Sequence, residues 1–176
     1  MFRINELAGG KFLFMVLLIM SMKNFPIVFL ILSIIIAFGY VIFFKTNLIE
    51  TFLISLLVIN YGIGGLWAFM GHYFRADQTA KFIGWPAGNP FQKEIAFTNL
   101  AFGIMGILAL FFRGNYLIAA VLGPSIFLFG AASVHIKEIS KNKNMSPGNA
   151  GPVLYISGIL VPVILISFLI IYMLNS

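Results

Sequence analysis

Apolar residues come in long runs separated by short polar islands, and runs of 18 or more are the mark of membrane-spanning helices. Five such runs are predicted to span, over residues 27–44, 48–74, 90–112, 116–136 and 152–174. Punctuation between them fits helix ends. Pro26 opens the first run, and Lys45-Thr46-Asn47 makes a tight turn before the second. Asn47 with Glu50 three residues on reads as a capping box. At the third run Asn89 is a candidate N-cap, Pro90 takes the first helical position and Gln92 completes the reciprocal cap. Arg113-Gly114-Asn115 is a minimal turn into the fourth run, and Pro152 opens the fifth. Pro124 and Pro162 fall inside runs and should kink them.

The apolar stretch at residues 12–22 is different, because as a helix it would reach only about 16 Å against a hydrocarbon core of roughly 30 Å. It is expected to be interfacial or half-inserted. Arg3 and Lys11 give it the look of a signal peptide, but no small-x-small cleavage site follows, so it is expected to be retained. The predicted fold is an all-α integral membrane protein. It has an N-terminal interfacial helix (residues 1–25) and a five-span helical bundle (residues 26–176).

Composition agrees. Hydrophobic residues make up 61% of the chain and charged residues 9%, with a mean hydropathy of +1.04; soluble domains carry about 25% charged residues. Cysteine is absent, which removes disulfides, thiolate metal sites and thiol redox chemistry. The net charge of +6 gathers between the apolar runs, a pattern that reports topology and anionic headgroups before nucleic acid. With five spans, one face collects Arg3, Lys11, Lys23, Arg75, Lys81, Lys93, Lys137, Lys141 and Lys143, and the other keeps Lys45 and Arg113. That bias sets the amino terminus and the 75–89 connection in the cytoplasm, in a multi-pass protein of the cell (inner) membrane.

The 75–89 connection, with its borders, concentrates the polar chemistry. Ala76–Ile83 is predicted as a short surface helix broken by Gly84-Trp85-Pro86. An internal echo frames it. His72 ends the second run and His135 the fourth; Pro86-Ala87-Gly88-Asn89-Pro90 precedes the third run and Pro147-Gly148-Asn149-Ala150-Gly151-Pro152 the fifth. Both histidines and both corners are expected on the lysine-rich rim. The third run carries a stripe of Gln92, Ala96, Asn99, Gly103 and Gly106. The second carries Asn60, Gly64, Ala68 and Gly71, with Gly65 and His72 one position round. Small residues let helices approach closely in lipid, and Asn60 and Asn99 should face the bundle interior.

Each chemical candidate has a plain reading beside a sharper one. His72 and His135 suit interfacial anchors, and also ligand contact, proton handling, or ligation of a haem or, with Glu94, a metal ion. Glu94 fits a helix first turn, or a buried acid pairing with Arg75 or His72. Asp77 is expected to cap or face solvent. No P-loop, GxGxxG, HExxH or nucleophile elbow is present, and no cofactor is expected.

The residues Gly71-His72-Tyr73-Phe74, Ile83 through Gln92 (IGWPAGNPFQ), Asn99-Leu100-Ala101, His135 and Pro147 through Pro152 resemble the pattern of a family of small prokaryotic integral membrane proteins known only as a domain of unknown function. The resemblance covers roughly residues 48–174. It implies a compact helical membrane protein and carries no activity. The leading functional expectation is a pocket at the cytoplasmic helix ends for a small molecule, lipid headgroup or quinone-like ligand. His72, Arg75, Asn89, Gln92, Glu94, Asn99, His135 and Asn149 are the expected contacts. The alternatives are a small transporter or channel acting as a homo-oligomer through its small-residue stripes, and a haem- or metal-binding membrane oxidoreductase. Membrane lipids and a second copy are the expected partners, with no nucleic acid.

Overall fold

The computed structural model describes residues 23–175; the expectation of an interfacial helix at 12–22 lies outside them. Among the described residues the chain is helical, without strands. Four helices are long and apolar enough to cross a membrane: α1 (Phe25–Phe44), α2 (Leu48–Phe74), α5 (Asn115–Asn142) and α6 (Pro147–Leu174). Two others complete the fold, the short α3 (Ala76–Ile83) and α4 (Phe91–Leu108). α4 spans 18 residues, about 27 Å at 1.5 Å per residue, and its first turn is polar. It stops at Leu108 rather than 112, because the next residues tighten into i→i+3 bonds such as Leu110 N–H to the Ile107 carbonyl, 3.0 Å.

α2 is the hub. It packs on α1, on α4 and on α6. Half of its most apolar window is buried, against 17% for α1. Asn47 accepts the Glu50 N–H at 3.0 Å, so half of the expected capping box forms. The Glu50 carboxylate turns instead to Arg113 Nε, 2.8 Å away. That contact brings the α1–α2 and α4–α5 turns together at one end of the bundle.

The two ends are built differently. At the Glu50–Arg113 end Leu53, Leu56, Leu57, Leu117, Val121, Leu165 and Leu169 form a close-packed core. Toward the other end, α2 and α4 cross at backbone contact. A methyl on Gly65 would lie 2.8 Å from the Asn99 carbonyl oxygen and 2.9 Å from Gly103 Cα, and one on Gly103 would lie 2.9 Å from the Leu66 nitrogen. Dispersion from two touching backbones replaces side-chain packing here. The small residues of α4's stripe are thus consumed within the chain. On α2 the contact falls on Gly62 and Gly65 rather than on Gly64, Ala68 and Gly71. Gly62 was no part of the expected stripe.

Two stretches widen from α to π: Leu57–Ile63 in α2 and Val153–Leu160 in α6. The second ends just before Pro162, which lacks an N–H for the helix ladder. Such widenings gather at functional sites, and both border the cavity described next. α5 carries Pro124 inside it, as expected, but runs past Ile136 to Asn142 and ends on Lys143 at φ 54°.

Candidate functional site

Beyond the glycine crossing the bundle opens into a cavity of about 710 Å³. Its walls come from the later half of α2, the first half of α4, the middle of α5 and the π stretch of α6. α3 and its following loop close one end. Phe82, Trp85, Phe102 and Phe127 make much of the surface aromatic.

The closure is anchored on both sides. Thr79 Oγ1 donates to the Gly71 carbonyl at 2.9 Å, tying α3 back on α2. Gly84 ends α3 at φ 82°, where only glycine sits without strain. The Trp85 N–H then bonds the Ala80 carbonyl at 2.9 Å, the six-to-one bond of a Schellman ending. Asn144 Nδ2 donates to the Ile83 carbonyl at 3.0 Å, joining α3 to the α5–α6 connection. Gly148 presses against Phe82, where a methyl would stand 2.5 Å from the ring. Asp77 Oδ1 accepts the Gly88 N–H at 3.1 Å and so fixes the loop before α4.

Both histidines line this cavity, and each is held the same way. His72 Nδ1 lies 2.5 Å from Gln92 Oε1, and His135 Nδ1 lies 2.7 Å from Asn149 Oδ1. The echo seen in the sequence is therefore a hydrogen-bonded one: a histidine at the end of an apolar run meets a carboxamide from the connection that follows. The amide facing His72 is Gln92, three residues past the corner asparagine. Gln92 hence does not complete a reciprocal cap as expected, although Asn89 Oδ1 does accept the Phe91 N–H at 3.0 Å. The Trp85 ring stacks on His135 with centroids 5.4 Å apart and planes at 12°.

The family model for a family of unknown function, DUF6790, matches residues 23–176. The chain belongs to that family. The DUF6790 match begins at residue 23 rather than near 48, so it takes in α1 and every element around the cavity. No curated protein and no solved structure matches the chain.

Of the eight residues expected at a site in this DUF6790 chain, His72, Arg75, Asn89, Gln92, Asn99 and His135 line the cavity. Asn149 is fully buried behind His135 and reaches the cavity only through that ring. Glu94 stands apart. It is exposed in the first turn of α4 and is no part of the lining, a place the helix dipole explains. Among the described residues no group of three or more His, Cys, Asp or Glu is placed to hold a metal ion, so the alternative of two histidines joined by Glu94 around a metal does not form.

Sequence reasoning missed three contributors to the site. Trp85 was read only as part of the break after the 76–83 helix, Asn144 carried no signal, and Tyr61 was not singled out. Tyr61 lines the cavity, and its hydroxyl lies 2.7 Å from Ser125 Oγ. Deeper in the wall Asn60 Nδ2 donates to Ser33 Oγ and to the Leu56 carbonyl, both at 3.1 Å. Asn99 Nδ2 donates to the Ile95 carbonyl at 2.8 Å.

Proposed function

We propose that this is a five-span protein of the cell inner membrane which holds an amphipathic small molecule, a lipid or quinone-like ligand, in the cavity at the histidine end. α4 is the fifth span in this reading. Its length approaches the hydrocarbon thickness, and antiparallel packing on α2 leaves its polar first turn beside the bases of the histidine end. Lys23, Arg75, Lys81, Lys93, Lys137, Lys141 and Lys143 then share that end, with Lys45 and Arg113 opposite. This puts the histidines and the cavity mouth on the cytoplasmic side.

The observation that carries the proposal is the convergence of two amide-held histidines on one aromatic-walled cavity. Ligand sites are concave and mostly apolar, with a few placed polar groups that fix orientation. Here Arg75 and Asn89 are exposed, while His72, His135, Asn60 and Asn99 are half-buried. An apolar body would lie along the aromatic wall, with a polar head among the imidazoles.

Purification in mild detergent followed by native mass spectrometry tests this. A small-molecule adduct should co-purify and be lost when Ala131→Trp fills the cavity. Adduct-free wild-type protein, or adducts indifferent to that substitution, would argue against a ligand site.

A further inference from the structure

Resting on that reading, we infer that the head of the ligand is a neutral hydrogen-bond donor, an alcohol or phenol hydroxyl, received by imidazole Nε2 atoms that the fold holds as acceptors. Asn149 decides the matter for His135. Its Nδ2 donates to two main-chain carbonyls, those of Asn144 at 2.8 Å and His135 at 3.3 Å. The amide therefore has one workable orientation, with Oδ1 against His135 Nδ1 at 2.7 Å. An amide oxygen can only accept, so the ring proton sits on Nδ1. In a neutral imidazole the other nitrogen is then a bare lone pair. With Gln92 Oε1 turned to its Nδ1, His72 takes the same state. Neither Nε2 has a partner among the described residues.

The deeper wall has the same polarity. Asn60 spends both amide N–H groups, on Ser33 and the Leu56 carbonyl, and Asn99 spends one on the Ile95 carbonyl, which leaves their amide oxygens over. The Thr79 hydroxyl is committed to Gly71, and Tyr61 and Ser125 share one hydrogen bond. The cavity thus offers acceptors at the imidazoles and amide oxygens, beside the indole N–H groups of Trp67 and Trp85 and the Ser157 hydroxyl, which also line it. A carboxylate or phosphate head placed there would meet lone pairs. A cationic head would find no acid among the described lining residues and would have the exposed Arg75 beside it. A neutral hydroxyl is the head that both conditions leave.

Two measurements test this. In protein labelled with 15N-histidine and held in lipid nanodiscs at pH 8, both rings should show a protonated Nδ1 and an unprotonated Nε2. Protonated Nε2 on both rings would overturn the inference without any variant. For binding, an alkyl hydroquinone kept reduced, its dimethyl ether and the matching quinone share a shape but differ in donors. Tryptophan fluorescence should give the hydroquinone affinity about tenfold above the other two, as one or two donated hydrogen bonds allow. His135→Phe, which keeps a ring against Trp85, should shrink that preference. Ether or quinone binding as tightly as the diol would overturn the donor inference and leave the cavity reading standing. Failure of all three to bind saturably would remove both.

Discussion

Asn149 has no exposed surface and three side-chain hydrogen bonds, so it is the residue whose loss the fold should feel most at this end. Replacing it with leucine keeps the volume but strands the His135 N–H and two carbonyls. Stranded buried polar groups cost about 1–3 kcal/mol each, and relaxation will recover part of that. Asn149→Leu should lower stability by roughly 3 kcal/mol in unfolding by SDS titration in mixed micelles. Asn89→Leu, at an exposed position with one capping bond, should cost about 1 kcal/mol. Equal losses would mean that Asn149 does not hold the corner. That asparagine was legible as a site residue because it sat in a Pro/Gly corner matching another. Gln92 was misread for a physical reason. A capping box is a local pattern, and a glutamine four bonds long can leave it for a histidine twenty residues back when burial rewards the longer contact.

The α2–α4 crossing gives the sharpest contrast among helix contacts. At Gly65 a methyl would strike backbone atoms of α4 that cannot rotate away. Gly65→Ala should destabilise by about 1–3 kcal/mol, read as a lower thermal midpoint. Gly123 on α5 has nothing within 4 Å of that same methyl position. Gly123→Ala should be neutral or raise stability by up to about 1 kcal/mol through helix propensity. A Gly65→Ala protein as stable as wild type would refute the crossing. At the far end, Asn47→Ala should cost about 1 kcal/mol as a lost cap. Glu50→Gln, which breaks an ion pair exposed on both sides, should cost about 1 kcal/mol at most. Helices of this kind are legible because apolar run length is a direct requirement of the bilayer. Their π widenings were not, since nothing in LVINYGI or VLYISGIL distinguishes one extra residue per turn. Nor was the overrun of α5 to Asn142. Lys and Glu after Ile136 mark the end of the apolar run, but both are good helix formers and carry the helix on into polar surroundings.

The whole chain contains no cysteine, so single cysteines can report its topology without background. In the proposed arrangement Lys45→Cys and Arg113→Cys should react with a membrane-impermeant maleimide on intact cells. Lys81→Cys and Lys141→Cys should react only after permeabilisation. Labelling of Arg113→Cys from the same side as Lys81→Cys would mean that α4 does not cross, and the count would return to four. The bundle's asymmetry, packed at one end and hollow at the other, was only half visible beforehand. Stripes of small residues announced close contact, but the space beyond that contact depends on where α3 settles, and Asn144 and Gly148 decide that from 60 residues away.

The pairing of each imidazole with a carboxamide also limits what the two rings can conduct. A proton arriving at Nε2 can leave through Nδ1 only into an amide oxygen, which is far too weak a base to carry it onward. Under the proposed tautomers each ring is a dead end for charge, unable to relay a proton onward. Vesicles containing the protein should therefore keep an imposed pH gradient as long as empty ones, and rapid collapse of that gradient would show that the rings turn over.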